Sequence, residues 1–197
     1  MTIRHKWVLC LMLAIFSQSC FSVSELTPYD VKVFIERSGA SFQILASYVV
    51  PASECEAHVF LTDYEGAKNI PGIKESKILE RTGNRVQVER IAEEKVLFFL
   101  VTLHSILEFI EVSENRLEFK QTEGDAKSYK GNWVIKPDKN GTRLTHQAFF
   151  ELETSIPLFL IKYFLENSAT KRFEIMAERL SQQKPSLTAA CNKTTFM

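Results

Sequence analysis

The stretch that most constrains this chain is Ser155 to Gln183, SIPLFLIKYFLENSATKRFEIMAERLSQQ. Leu158, Ile161, Leu165, Ala169, Phe173, Met176 and Leu180 recur at spacings of three and four, the period of one helical face. Thr154 or Ser155 suits the N-terminal cap. Pro157 suits the first turn, where its missing N–H costs nothing. Pro185 is read as the stop. Such a helix runs about 40 Å at 1.5 Å per residue. Its first half adds Phe159, Leu160, Tyr163 and Phe164 to the stripe; its second half is charged outside. So long an apolar face needs a large partner surface, and the chain upstream offers mostly strands. The expectation is a curved antiparallel sheet holding this helix.

Those strands are legible by alternation and by their turns. Val31–Arg37 and Ser41–Val50 alternate around Ser38-Gly39-Ala40, which reads as a hairpin. Pro51–Ser53 opens a short helix through Asp63, and Tyr64–Ile70 reads as a second, stopped by Pro71-Gly72. Ile73–Arg81 and Arg85–Ile91 flank Thr82-Gly83-Asn84. Val96–Val112 is a long apolar run, read as one bent strand or two. Arg116–Thr122, Ser128–Lys136 and Thr142–Glu153 follow, the last pair joined by the PDKNG turn. Antiparallel strands beside segregated helices make the class α+β, with a sheet of about six to seven strands.

The N-terminus reads MTIRHKWVLCLMLAIFSQSC. Arg4 and Lys6 precede the apolar run Trp7–Phe16, and small serines follow, the pattern of a cleaved export signal. The chain therefore divides into a signal at 1–22, a domain at 23–184 and a polar tail at 185–197, with an exported location, periplasmic or secreted. Cys20 stands where a lipoprotein cysteine stands, although Ser17 occupies the position that usually holds Leu. Lipidation there would tether the chain to a membrane. Of the 4 cysteines, Cys55 and Cys191 remain in the domain and tail. An oxidising compartment allows them to pair, but the placement of Cys191 in a polar tail favours a buried Cys55 and a free thiol.

Formal net charge is zero over 197 residues. Losing Arg4 and Lys6 leaves the acidic residues in slight excess. No stretch is strongly basic, so a nucleic-acid partner has no electrostatic support. No Gly-x-Ser-x-Gly elbow, Gly-rich phosphate loop or His-Glu-x-x-His is present. The histidines lie on separate elements, so no catalytic residue, metal site or cofactor is expected. Glu151, Glu153 and the charges of Glu89-Arg90…Glu93-Glu94 read as solvated surface.

The segment VVPASECEAHVFLTDYEGAKNIPGIKESKILERTGNRVQVE and the later LEFKQTEGDAKSYKGNWVIKPDKNGTRLTHQAFFEL resemble the START-related polyketide cyclase/dehydrase superfamily. Within it, the resemblance is closest to the coenzyme Q-binding START-domain group. Leu61-Thr62-Asp63-Tyr64, Pro71-Gly72, the Gly124…Gly131-x-Trp133 strands and the exit Gly141-Thr142-Arg143 carry it. One departure is His58, where the family often has Trp. The resemblance implies the helix-grip fold, a sheet wrapped around a C-terminal helix with an elongated apolar cavity between.

Strand alternation then nominates a lining. If Trp133 faces the helix, so do Tyr129 and Gly131 on its strand. Phe119 and Gln121 on the preceding strand, and His146, Ala148 and Phe150 on the last, face the same way. Leu158, Ile161 and Leu165 cover them from the helix. Apolar walls with Gln121, Tyr129 and His146 as polar points suit a ligand site, and would equally suit a plain packed core. The expected ligand is a hydrophobic small molecule: a lipid, a quinone or an isoprenoid-like compound. The alternative is a cyclase or aromatase acting on a bound apolar substrate through His146 or Tyr129.

Overall fold

A computed structural model of the chain describes residues 28–194 except 97. The expected export signal at 1–22, with Cys20 in it, lies outside the described residues. The elements are β1 (Lys32–Ser38), β2 (Ser41–Val50), α1 (Glu54–Thr62), a 3-10 turn (Gly66–Asn69), β3 (Ile73–Thr82), β4 (Arg85–Val96), β5 (Phe99–Ser113), β6 (Arg116–Gly124), β7 (Ala126–Asp138), β8 (Gly141–Leu152) and α2 (Leu158–Thr194). The fold is α+β: one curved antiparallel sheet packed on a long C-terminal helix, with a short helix and a 3-10 turn after the first hairpin. Eight strands are described where a sheet of about six to seven was expected: each of the eight segments read as extended forms one, and all eight join the same sheet.

The sheet order is β1-β2-β8-β7-β6-β5-β4-β3. Every neighbour is also a neighbour in sequence except β2 and β8, whose pairing carries the last strand back beside the first hairpin. Alternation then sets one face inward. Phe42, Ala46, Tyr48 and Val50 of β2, Leu144, His146 and Ala148 of β8, and Trp133 and Ile135 of β7 are buried, as are Leu117 and Phe119 of β6. Period-2 side chains with one buried face fix the register, since a one-residue slip would turn all of these outward.

On α2, Ile161, Ala169, Phe173, Met176 and Leu180 of the expected stripe are buried, joined by Ala177, while Leu158 and Leu165 are half-buried. The front of the helix is less covered than its composition suggests: Phe159 and Tyr163 are exposed. The back corrects a second expectation. Pro185 does not end the helix, which continues to Thr194. An internal proline forfeits one backbone hydrogen bond and crowds the preceding turn, at about 3 kcal/mol. Contacts with α1 offset that cost. Lys184 Nζ donates to the Pro51 carbonyl at 2.8 Å, Leu187 is buried, and the Thr188 hydroxyl donates to Glu56. Cys55 and Cys191 form a disulfide, with Cα atoms 6.1 Å apart. The free tail thiol is thus also corrected: what read as a polar tail is the last three turns of α2, docked on α1.

α1 begins with a reciprocal cap. The Glu56 N–H donates to Ser53 Oγ at 3.2 Å, and the Ser53 N–H donates to Glu56 Oε2 at 2.8 Å. This satisfies two of the helix's unpaired N-terminal donors. Glu56 is therefore shared between the start of α1 and the end of α2.

Candidate functional site

Between the inner sheet face and α2 lies a cavity of about 190 Å³. Six of the eleven residues nominated from sequence line it: Phe119, Tyr129, Trp133, His146, Ala148 and Leu165. The strands supply the first five because β6, β7 and β8 are adjacent, with Trp133 opposite His146 and Gly131 opposite Ala148. The remaining nominated residues lie outside the lining. Gln121 donates from Nε2 to the Ala126 carbonyl at 2.6 Å, which ties it to the β6–β7 turn, while its Oε1 is buried without a partner among the described residues. Phe150 stacks on Phe42 at 5.2 Å. Leu158 and Ile161 sit at the front of α2, ahead of the lining that starts at Leu165.

Gly131 has a different role from the one its size suggests. A Cβ there would fall 2.1 Å from the Gln147 carbonyl oxygen and 2.6 Å from the Phe119 ring. The absent side chain lets β8 backbone and the Phe119 ring approach β7; it does not open room for a ligand.

An aromatic cluster forms the inner wall. His146 lies 4.3 Å from Trp133, 5.8 Å from Phe119 in a stacked arrangement and 5.7 Å from Phe173, between ring centroids. Phe119 continues to Tyr129 at 5.1 Å and to Phe109 at 5.7 Å. These rings bury large apolar area and hold one another by edge and offset contacts.

Polar atoms are few and specific. Burial, mainly, lowers the His146 pKa to about 4, with repulsion from Arg90 adding to it. The imidazole is neutral at physiological pH, and its buried Nδ1 has no hydrogen-bond partner among the described residues. Burial also raises the Tyr129 phenol above its ordinary value. Two residues from the Glu89-Arg90…Glu93-Glu94 stretch point inward, against expectation. Arg90 lines the cavity. Glu94 forms an ion pair with Arg172 of α2, directly over Gly72, whose φ of +86° and lack of Cβ keep that space open. The sign that placed Arg90 was available: Val86, Val88 and Arg90 share parity on β4, and both valines are buried. Phe60, Leu61 and Ile70 after the first hairpin, and Ala169, Phe173 and Met176 of α2, add to the apolar lining. Exposed Asp63 and half-buried Arg179 and Gln183 put the mouth between α1 and the middle of α2.

Residues 50–174 match the family described as polyketide cyclase / dehydrase and lipid transport. No curated protein matches the chain in sequence. Among solved structures, a protein from Thermus thermophilus is 23% identical, with a TM-score of 0.61 over 75% of this chain and 98% of its own. The STAR-related lipid transfer protein of Xanthomonas axonopodis is 15% identical, with a TM-score of 0.64 over 76% of this chain and 93% of its own. A START superfamily protein from Mycobacterium smegmatis is 20% identical, with a TM-score of 0.55 over 72% of this chain and 99% of its own. At these identities the likeness is one of fold.

Proposed function

The chain belongs to the polyketide cyclase/dehydrase and lipid transport family, and from that premise we propose that it binds a hydrophobic small molecule between its sheet and α2. The observation that carries this is the composition of the cavity: an aromatic inner wall interrupted by a few polar groups, one of them a buried imidazole nitrogen without a partner among the described residues. Apolar walls give affinity with little direction, and a buried unpaired polar atom favours a ligand that supplies its partner.

The ligand class is a lipid, quinone or isoprenoid-like molecule. A cavity of about 190 Å³ is below the roughly 300–1,000 Å³ of typical ligand sites. One end of such a molecule fits inside, and a long tail leaves by the mouth. We further assign the protein to an exported compartment, on the basis of its N-terminal pattern and in keeping with the Cys55–Cys191 disulfide.

The second reading, a cyclase or aromatase, draws on the other half of the family description and on His146 and Tyr129 in one cavity. Proton-transfer catalysts work best with a pKa near the operating pH. His146 at about 4 is far from it, and burial drives the Tyr129 phenol further away, so binding is the favoured reading.

Native mass spectrometry of the protein purified from its own host, with solvent extraction, tests both. A copurified apolar molecule recovered unchanged supports binding. A mass change of that molecule on incubation supports the enzyme. Recovery of protein free of any extractable apolar molecule, with none restored by soaking in host lipid, overturns both.

A further inference from the structure

The cavity has an unbalanced charge. Its lining includes three arginines, Arg90, Arg172 and Arg179, against one carboxylate, the exposed Asp63. Arg172 is matched by Glu94. Arg90 and Arg179 form no ion pair among the described residues. Arg90 is the better defined of the two. Its Nε donates to Ser76 Oγ at 3.2 Å, and that hydroxyl donates in turn to the Tyr64 carbonyl at 2.6 Å. The guanidinium carbon lies 5.0 Å from the Phe109 ring centroid. Ser76 and Phe109 thus orient the group, and among the described residues neither Nη atom donates to a protein acceptor, which leaves both facing the cavity.

Arg90 is half-buried, so its guanidinium gives up part of its hydration to the cavity wall, a cost that protein carboxylates normally offset. Burial lowers the Arg90 pKa from its ordinary value, yet arginine stays charged in proteins. A planar fork with two free donors matches a carboxylate or phosphate bidentately. We propose that Arg90 receives the anionic head group of the cavity's ligand, which is therefore an acidic amphiphile and not a neutral quinone or hydrocarbon. This rests on the reading that the cavity binds an apolar molecule, and narrows it. At roughly 30 Å³ per water-sized group, a volume of about 190 Å³ takes a head group and a short stretch of chain. That favours a single-chain acid over a bulky diacyl lipid.

The test is calorimetric titration of the full chain with octanoate, octyl phosphate and octanol, which share one tail. Wild type should bind at least one anion about tenfold or more tightly than octanol, and the tighter anion identifies the head as carboxylate or phosphate. Arg90→Met, which keeps length and apolar volume, should abolish that preference and leave octanol within about threefold. Arg90→Lys should retain part of it, as a charge without the fork. Octanol binding as tightly as both anions to wild type, or a preference that survives Arg90→Met, overturns the assignment while leaving the hydrophobic site standing. If none of the three binds, nor decane, the cavity is not a ligand site and both readings fall. Should Arg90→Met fail to fold, as judged by thermal melting, the wild-type comparison and Arg90→Lys decide.

Discussion

Trp133 and His146 face each other across β7 and β8 with ring centroids 4.3 Å apart. The indole is one reason the imidazole is uncharged, since it helps to exclude the water that an imidazolium needs. The His146 pKa falls from 6.5 to about 4. The unfolded chain therefore binds the proton first as pH drops. Stability from the neutral ring is complete above about pH 6.5 and is lost as pH falls toward 4. The loss is on the order of 3 kcal/mol at 1.36 kcal/mol per pKa unit. Urea unfolding at pH 7, 5.5 and 4 should show it, and His146→Phe should flatten that window. An equally steep profile in His146→Phe would assign the acid sensitivity elsewhere.

Filling the cavity requires a position that borders it without carrying backbone contacts. Gly131 does not qualify. Gly131→Leu should unfold or strongly destabilise the chain, because the new Cβ meets the Gln147 carbonyl. Ala169, which lines the cavity from α2, is the better probe. Ala169→Leu should keep its melting temperature within a few degrees and lose apolar ligand affinity about tenfold or more, as measured by calorimetry. Unchanged affinity would place the ligand away from this wall.

Phe173 touches Tyr48, Trp133 and His146 at 6.1, 6.2 and 5.7 Å between centroids and is buried. Phe173→Ala should cost about 3–5 kcal/mol in denaturant unfolding, from lost transfer energy and the space left behind. A loss below about 1 kcal/mol would mean that α2 is not held there.

The Cys55–Cys191 bond closes a separation of 136 residues. Cross-links of that span typically add about 2–4 kcal/mol by restricting the unfolded chain. Reduction, or Cys55→Ala with Cys191→Ala, should lower the melting temperature by roughly 5–15 °C. Identical melting of oxidised and reduced protein would show that the Glu56, Thr188 and Leu187 contacts hold the helix end by themselves.

The fold and the sheet-side wall were readable because each inner strand alternates cleanly. Once Trp133 is assigned a face, Phe119, His146 and Ala148 follow by parity. What escaped was decided by contacts between distant segments. Arg90 looks like one charge in a charged stretch, and only its parity with Val86 and Val88 hints that it turns inward. Pro185 carries a strong local stop signal. The interactions that override it join Pro51, Cys55 and Glu56 to the end of α2, across separations of 133, 136 and 132 residues. Gly131 looks like spare room in a one-dimensional reading. Its use appears only when the Gln147 carbonyl and the Phe119 ring are seen against it.

The Cys55–Cys191 bridge also sets how the protein responds to proteases. Any single cut between those two residues leaves the pieces covalently joined, because the bridged loop holds β3 to β8 and most of α2. A nicked molecule would migrate as one band on a gel without reductant and as two with it. Its β-strands would stay paired to the same neighbours. Cleavage at an exposed site such as Phe98, 94% accessible, would therefore not release a fragment. Only reduction followed by unfolding would do so, which makes one covalent bond the guard of chain integrity after a cut.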